Sequence, residues 1–131
     1  MKLLALPALL LGLSACGTNV ITDPIGEPFR LIVRAAQAQA GSPVTLDALV
    51  DYGGFGGVPA TVEFLNGGAV VATTSERTLL YATAEEPWDF KFSHDIAATP
   101  GTTLNLSARI TWTYRGVQKA LTSGAVAYTA R

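Results

Sequence analysis

Twelve consecutive residues, 103–114 (TLNLSARITWTY), alternate between apolar and polar without a break. Leu104, Leu106, Ala108, Ile110, Trp112 and Tyr114 share one parity. Thr103, Asn105, Ser107, Arg109, Thr111 and Thr113 share the other. At about 100° per residue a helix would smear this series around its whole circumference. On a pleated strand successive side chains point to opposite faces, so the two sets separate cleanly. The segment is therefore predicted to be a long, half-buried strand.

The same period recurs elsewhere. Val44, Leu46, Ala48 and Val50 face inward in 44–52, with Asp47 and Asp51 outward. Trp88, Phe90 and Phe92 alternate with Asp89, Lys91 and Ser93, and Phe29, Leu31 and Val33 alternate with Arg30, Ile32 and Arg34. Residues 62–65 and 68–71 flank Asn66-Gly67, a pair that tolerates positive φ and predicts a tight hairpin. A final strand is expected over 119–129, interrupted at Gly124, and a short one over 78–83. Residues 35–40 are too short and uncapped to predict a helix. Turn residues fall between the runs, at 41–43, 53–59, 86–87, 100–101 and 115–116. Seven or eight short strands with turns every 8–15 residues predict an all-β, antiparallel sandwich rather than a parallel sheet. Its expected span is 29–131.

The first residues follow a different logic. Lys2 precedes an apolar run, 3–13, broken only by Pro7 and Gly12, and Leu13-Ser14-Ala15-Cys16 follows. A basic start, a short apolar stretch and small residues before a cut form the pattern of a secretory signal helix. Eleven helical residues rise about 16 Å, roughly half of a bilayer's hydrocarbon core, so the stretch is too short for a stable span. Leu13-Ser14-Ala15-Cys16 resembles the lipobox of bacterial lipoproteins. That resemblance implies cleavage between Ala15 and Cys16 and acylation of the Cys16 thiol, with 1–15 removed. Residues 16–28, which contain two prolines, then form the lipidated N-terminus and tether. Gly17 after the cysteine resembles lipoproteins released to the outer membrane. The expected location is the bacterial envelope, outside the cytoplasm: the outer membrane where there is one, otherwise the outer face of the cell membrane.

Cys16 is the chain's single cysteine, which leaves the body without a disulfide, zinc-ribbon, iron–sulfur or thiol-nucleophile reading. Without 1–15 the chain carries eight Lys+Arg against ten Asp+Glu, a formal charge of −2, and no basic stripe. Nucleic acid is not an expected partner.

The body resembles the bacterial immunoglobulin-like sandwiches, including CARDB-type adhesion modules. The likeness rests on Gly41-Ser42-Pro43-Val44-Thr45-Leu46-Asp47-Ala48, on the hairpin at 58–68, and on 100–108, a late strand entered from Pro100-Gly101. It implies a fold and a role in protein or surface binding, and it transfers no site residues. The inter-sheet cysteine pair of antibody domains is missing, and Trp112 sits on a late strand.

Chemistry-bearing groups are sparse. His94 is the only histidine, beside Asp95, and a metal centre or nucleophilic triad needs more convergent partners than these. Glu85 and Glu86 are neighbours that an extended chain points apart, which disfavours a carboxylate pair with Asp89. Asp23, Glu27, Asp47 and Asp51 match no calcium-loop spacing. Residues 53–57 (GGFGG) lack the Lys-Ser/Thr of a phosphate loop. They do present Phe55, with Tyr52 beside it, as a candidate recognition loop. No catalytic residue, metal ligand or cofactor is expected. The expected function is a non-enzymatic structural or protein-recognition role, held to the membrane through Cys16, with another envelope protein as partner. The alternative is a carbohydrate-binding module that offers Tyr52, Phe55, Tyr81 and Tyr114 to a glycan.

Overall fold

In the computed structural model the described residues are 27–53, 57–80 and 89–131. They form nine strands: β1 (Glu27–Gln37), β2 (Val44–Gly53), β3 (Val58–Asn66), β4 (Ala69–Thr73), β5 (Arg77–Leu79), β6 (Phe90–Ile96), β7 (Thr103–Tyr114), β8 (Val117–Thr122) and β9 (Val126–Thr129). The proposed signal segment, Cys16 and most of the tether lie outside the described residues.

All strand pairs are antiparallel, in two sheets. The smaller has the order β1-β2-β6. The larger has the order β4-β3-β7-β8, with β5 beside β3 and β9 beside β7. The chain changes sheet between β2 and β3, between β5 and β6, and again before β7. This is the expected antiparallel β-sandwich, with nine strands among the described residues where seven or eight were expected.

The core is built by parity. Val44, Leu46 and Val50 from β2 meet Val58, Val62 and Phe64 from β3 and Leu106 and Ile110 from β7, all fully buried. No polar or charged residue is buried among the described residues. The 103–114 alternation is reproduced: its apolar parity faces the core and its polar parity lies outside. The outward rows are tied across strands, by Thr61–Thr111 hydroxyls at 3.0 Å and by the ion pair of Glu63 with its register partner Arg109.

Several boundaries differ from the sequence reading. Strand β1 begins at Glu27, so the last two residues of the expected tether belong to the sheet, and it runs on through Gln37. A bulge between Pro28 and Arg30 adds one residue to the strand, which reverses the parity upstream of it. Pro28 is therefore buried and Phe29, expected inside, is 65% exposed. In the β3–β4 hairpin Asn66 pairs with Ala69. The two-residue turn is thus Gly67-Gly68, at φ 59° and 89°, one residue later than expected. The short strand expected over 78–83 is β5, whose three residues end at Leu79.

The interruption at Gly124 is real, and it splits the last strand in two. Strands β8 and β9 pair successive stretches of the same β7 edge. At the break the Ser123 hydroxyl accepts a hydrogen bond from the Ala108 amide at 2.9 Å and donates to the Gly124 carbonyl at 2.9 Å. Ser123→Ala leaves the Ala108 amide without that acceptor. The expected cost is about 1–2 kcal/mol, readable as a lowered urea midpoint.

The β7–β8 turn is Arg115-Gly116, at φ 51° and 79°, the mirror-image geometry that matches strand twist. Arg115 is the only non-glycine among the described residues with positive φ. Arg115→Asn puts a tolerant residue there, although it removes the guanidinium lying 5.4 Å from the Tyr114 ring. The two effects oppose, and a net gain of about 0.5 kcal/mol is expected in thermal unfolding.

Candidate functional site

The strands run between two poles. Chain arriving from residue 26 enters at the first, which also holds the roots of the 54–56 and 81–88 segments and the Arg115-Gly116 turn. Residues 38–43, Gly67-Gly68, 97–102 and the last two residues form the second.

At the entry pole Glu27 joins the two sheets. Its Oε1 accepts from the Trp112 indole Nε1 at 3.2 Å and lies 3.0 Å from Lys119 Nζ. Trp112 is only 5% exposed, and a buried indole N–H needs a partner of this kind. At the far pole Gln37 plays the matching part. Its Oε1 accepts from Tyr128 Oη at 3.0 Å and from the Arg131 amide at 2.8 Å. Its Nε2 donates to the Ser42 carbonyl at 2.8 Å. Both ends of β1 are thus fastened to the opposite sheet by side chains. Sequence reasoning missed Glu27 and Gln37 in this capacity; the available signal was the polar tip of Trp112 on an apolar face.

The candidate recognition loop fares unevenly. Tyr52 is 3% exposed and edge-on to Phe90, with ring centroids 6.0 Å apart. Its position on the loop is corrected: it continues the inward parity of β2, and the core takes its ring. Its amide donates to Asp89 Oδ2 at 2.8 Å. Phe55 lies outside the described residues, but both roots of its loop are close-packed. A Cβ on Gly53 would meet the Phe29 ring at 3.4 Å, and one on Gly57 would meet Thr78 Cγ2 at 3.1 Å.

The other candidates do not converge. Asp95 accepts from Thr45 Oγ1 at 2.7 Å on the outer face, while His94 has the opposite parity and lines an open cleft of about 440 Å³ with Glu76, Arg77 and Ser93. Arg77 closes one side of that cleft. It donates to the Lys91 carbonyl at 2.9 Å and lies 5.0 Å from the Phe90 ring centre. Asp47 and Asp51 bind the cross-strand guanidinium groups of Arg34 and Arg30 at 3.2 Å and 2.9 Å. Glu27, at the pole, is engaged by Trp112 and Lys119, so these three carboxylates each have a separate partner. No group of three or more metal-type side chains forms among the described residues. Asp23, Glu85, Glu86, Trp88 and Tyr81 lie outside them.

No protein-family model, curated protein or solved structure matches this chain. The functional reading therefore rests on the residues alone.

Tyr114 is half-buried, with Lys119 Nζ 5.1 Å from its ring centre and the Arg115 guanidinium also over the ring. A second open depression, about 300 Å³, lies on the outer face of the larger sheet among Pro59, Thr61, Thr111 and Gln118. Strand β4 is the edge of that sheet. Its sequence AVVAT carries no charge, and Val70 and Val71 are 48% and 40% exposed. An uncharged, apolar edge of this kind is the part of a sheet most open to pairing with another chain.

Proposed function

We propose that this chain is a lipid-anchored, non-enzymatic sandwich protein of the bacterial cell envelope that binds another envelope protein. The observation that carries the reading is the position of its one cysteine. Cys16 stands directly after Leu13-Ser14-Ala15, at the end of a charged-then-apolar start. The body that follows forms a closed core without any thiol. Two or more acyl chains bind a membrane far more firmly than one, at about 0.8 kcal/mol per buried methylene. The test is Cys16→Ala. Wild-type protein is expected in the membrane fraction with diacylglycerol mass on Cys16, and the variant in the soluble fraction. Membrane retention of the variant would reject the anchor.

Protein recognition is favoured over glycan binding by the state of the aromatics. Of the two candidate aromatics among the described residues, Tyr52 is inside and Tyr114 is half-buried with two cations beside its ring, whereas the β4 edge offers backbone and apolar side chains together. Val71→Lys should abolish co-purification of any partner held by that edge.

A further inference from the structure

We propose that the entry pole of the sandwich rests on the lipid surface itself, with Phe29, Leu80 and Val117 as the side chains that touch it. This inference rests on the reading of Cys16 as the acylated residue, and it adds which end of the body faces the bilayer and through what chemistry.

The three are the most exposed large apolar residues among those described, at 65%, 49% and 57%. Each is placed at the pole by a local feature. The β1 bulge turns Phe29 outward across Gly53. Leu80 directly follows β5 and lies against Gly57. Val117 leaves the Arg115-Gly116 turn. Exposed apolar side chains gathered on one end of a body mark a surface that meets something apolar.

Chain length says what that something is. Residues 17–26 separate Cys16 from the first residue of β1. Ten residues reach at most about 33–36 Å when fully extended. Strand β1, eleven residues long, spans about 36 Å. Turning the far pole to the bilayer would require the tether to run nearly fully extended along the body. The pole where the chain enters therefore stays nearest the lipid. Among the described residues this pole sets Arg30, Arg115 and Lys119 against Glu27, Asp51 and Asp89, and the sequence of the 81–88 segment rooted there adds Glu85 and Glu86. Attraction of cations to the membrane therefore does not drive the contact, which is apolar.

The test uses the full acylated chain reconstituted in phosphatidylcholine vesicles. Because acylation consumes the Cys16 thiol, an introduced cysteine is the only one open to a fluorescent label. Phe29→Cys and Val117→Cys report the entry pole. Val70→Cys, similarly exposed but beside the Gly67-Gly68 turn at the far pole, is the control. Brominated lipid is expected to quench labels at 29 and 117 about three-fold or more over the label at 70, as for groups seated about 5–10 Å into the interface, and high salt should not change the ratio. Equal quenching at all three positions on acylated protein overturns the docking alone. An intact mass without acyl groups on Cys16 overturns the anchor and the docking with it.

Discussion

Phe64→Ala is expected to cost about 3–5 kcal/mol of unfolding free energy. Phe64 is fully buried at the middle of the larger sheet. Its register partners are Ala108 on β7 and Ala72 on β4, so the ring fills the space that two short neighbours leave. Neither alanine can reach into the hole left by truncation, which places the cost toward the upper end of the range. Domains of this size are stable by about 5–15 kcal/mol, so the variant would approach unfolding. A fall of roughly 15–30 °C in Tm, followed by circular dichroism, is the corresponding signal. Ala108→Leu, which forces bulk against the same ring, should also destabilise, by about 1–3 kcal/mol. A loss under about 1 kcal/mol for Phe64→Ala would contradict the packing.

Glu27→Ala is the second large effect, and it acts through a different force. The substitution removes the acceptor for the buried Trp112 indole and the counter-charge of Lys119. An orphaned buried donor costs about 1–3 kcal/mol. The ion pair, with both side chains about a third or more exposed, adds about 1 kcal/mol at most. A total near 2–3 kcal/mol is expected. Glu27→Gln keeps a carbonyl oxygen for the indole and should lose only about 1 kcal/mol or less. The difference between the two variants in urea unfolding isolates the indole bond. Equal losses would show that charge, not the hydrogen bond, joins the sheets here.

How far such features could be read beforehand depends on the range of the interaction involved. Strand β7 was fully legible because twelve uninterrupted residues leave only one periodic solution. Tyr52 was legible too: it shares the even parity of Val44 to Val50, and only its nearness to the glycine-rich segment suggested exposure. Phe29 was not legible, because a bulge is decided by how β1 pairs with β2, a contact between residues more than twenty positions apart. The β3–β4 turn slipped by one residue because Asn66-Gly67 and Gly67-Gly68 both tolerate positive φ, and register across the sheet chose between them. Leu49, whose odd parity places it outside, is 2% exposed, and no local pattern distinguishes it. The joints at Glu27 and Gln37 lie 85 and 91 residues from Trp112 and Tyr128. Only the folded chain brings them together.

The placement of Glu27 also has a mechanical meaning. A pull delivered along the chain into the start of β1, and resisted at the opposite end of the body, acts parallel to the strand. Ten paired positions join β1 to β2, and such a load stretches them in shear, all at once, rather than peeling them one after another. The side-chain joints at both ends of β1 share that load with the second sheet. A load applied at Glu27 therefore has to break these pairs and both joints together before β1 can leave the body.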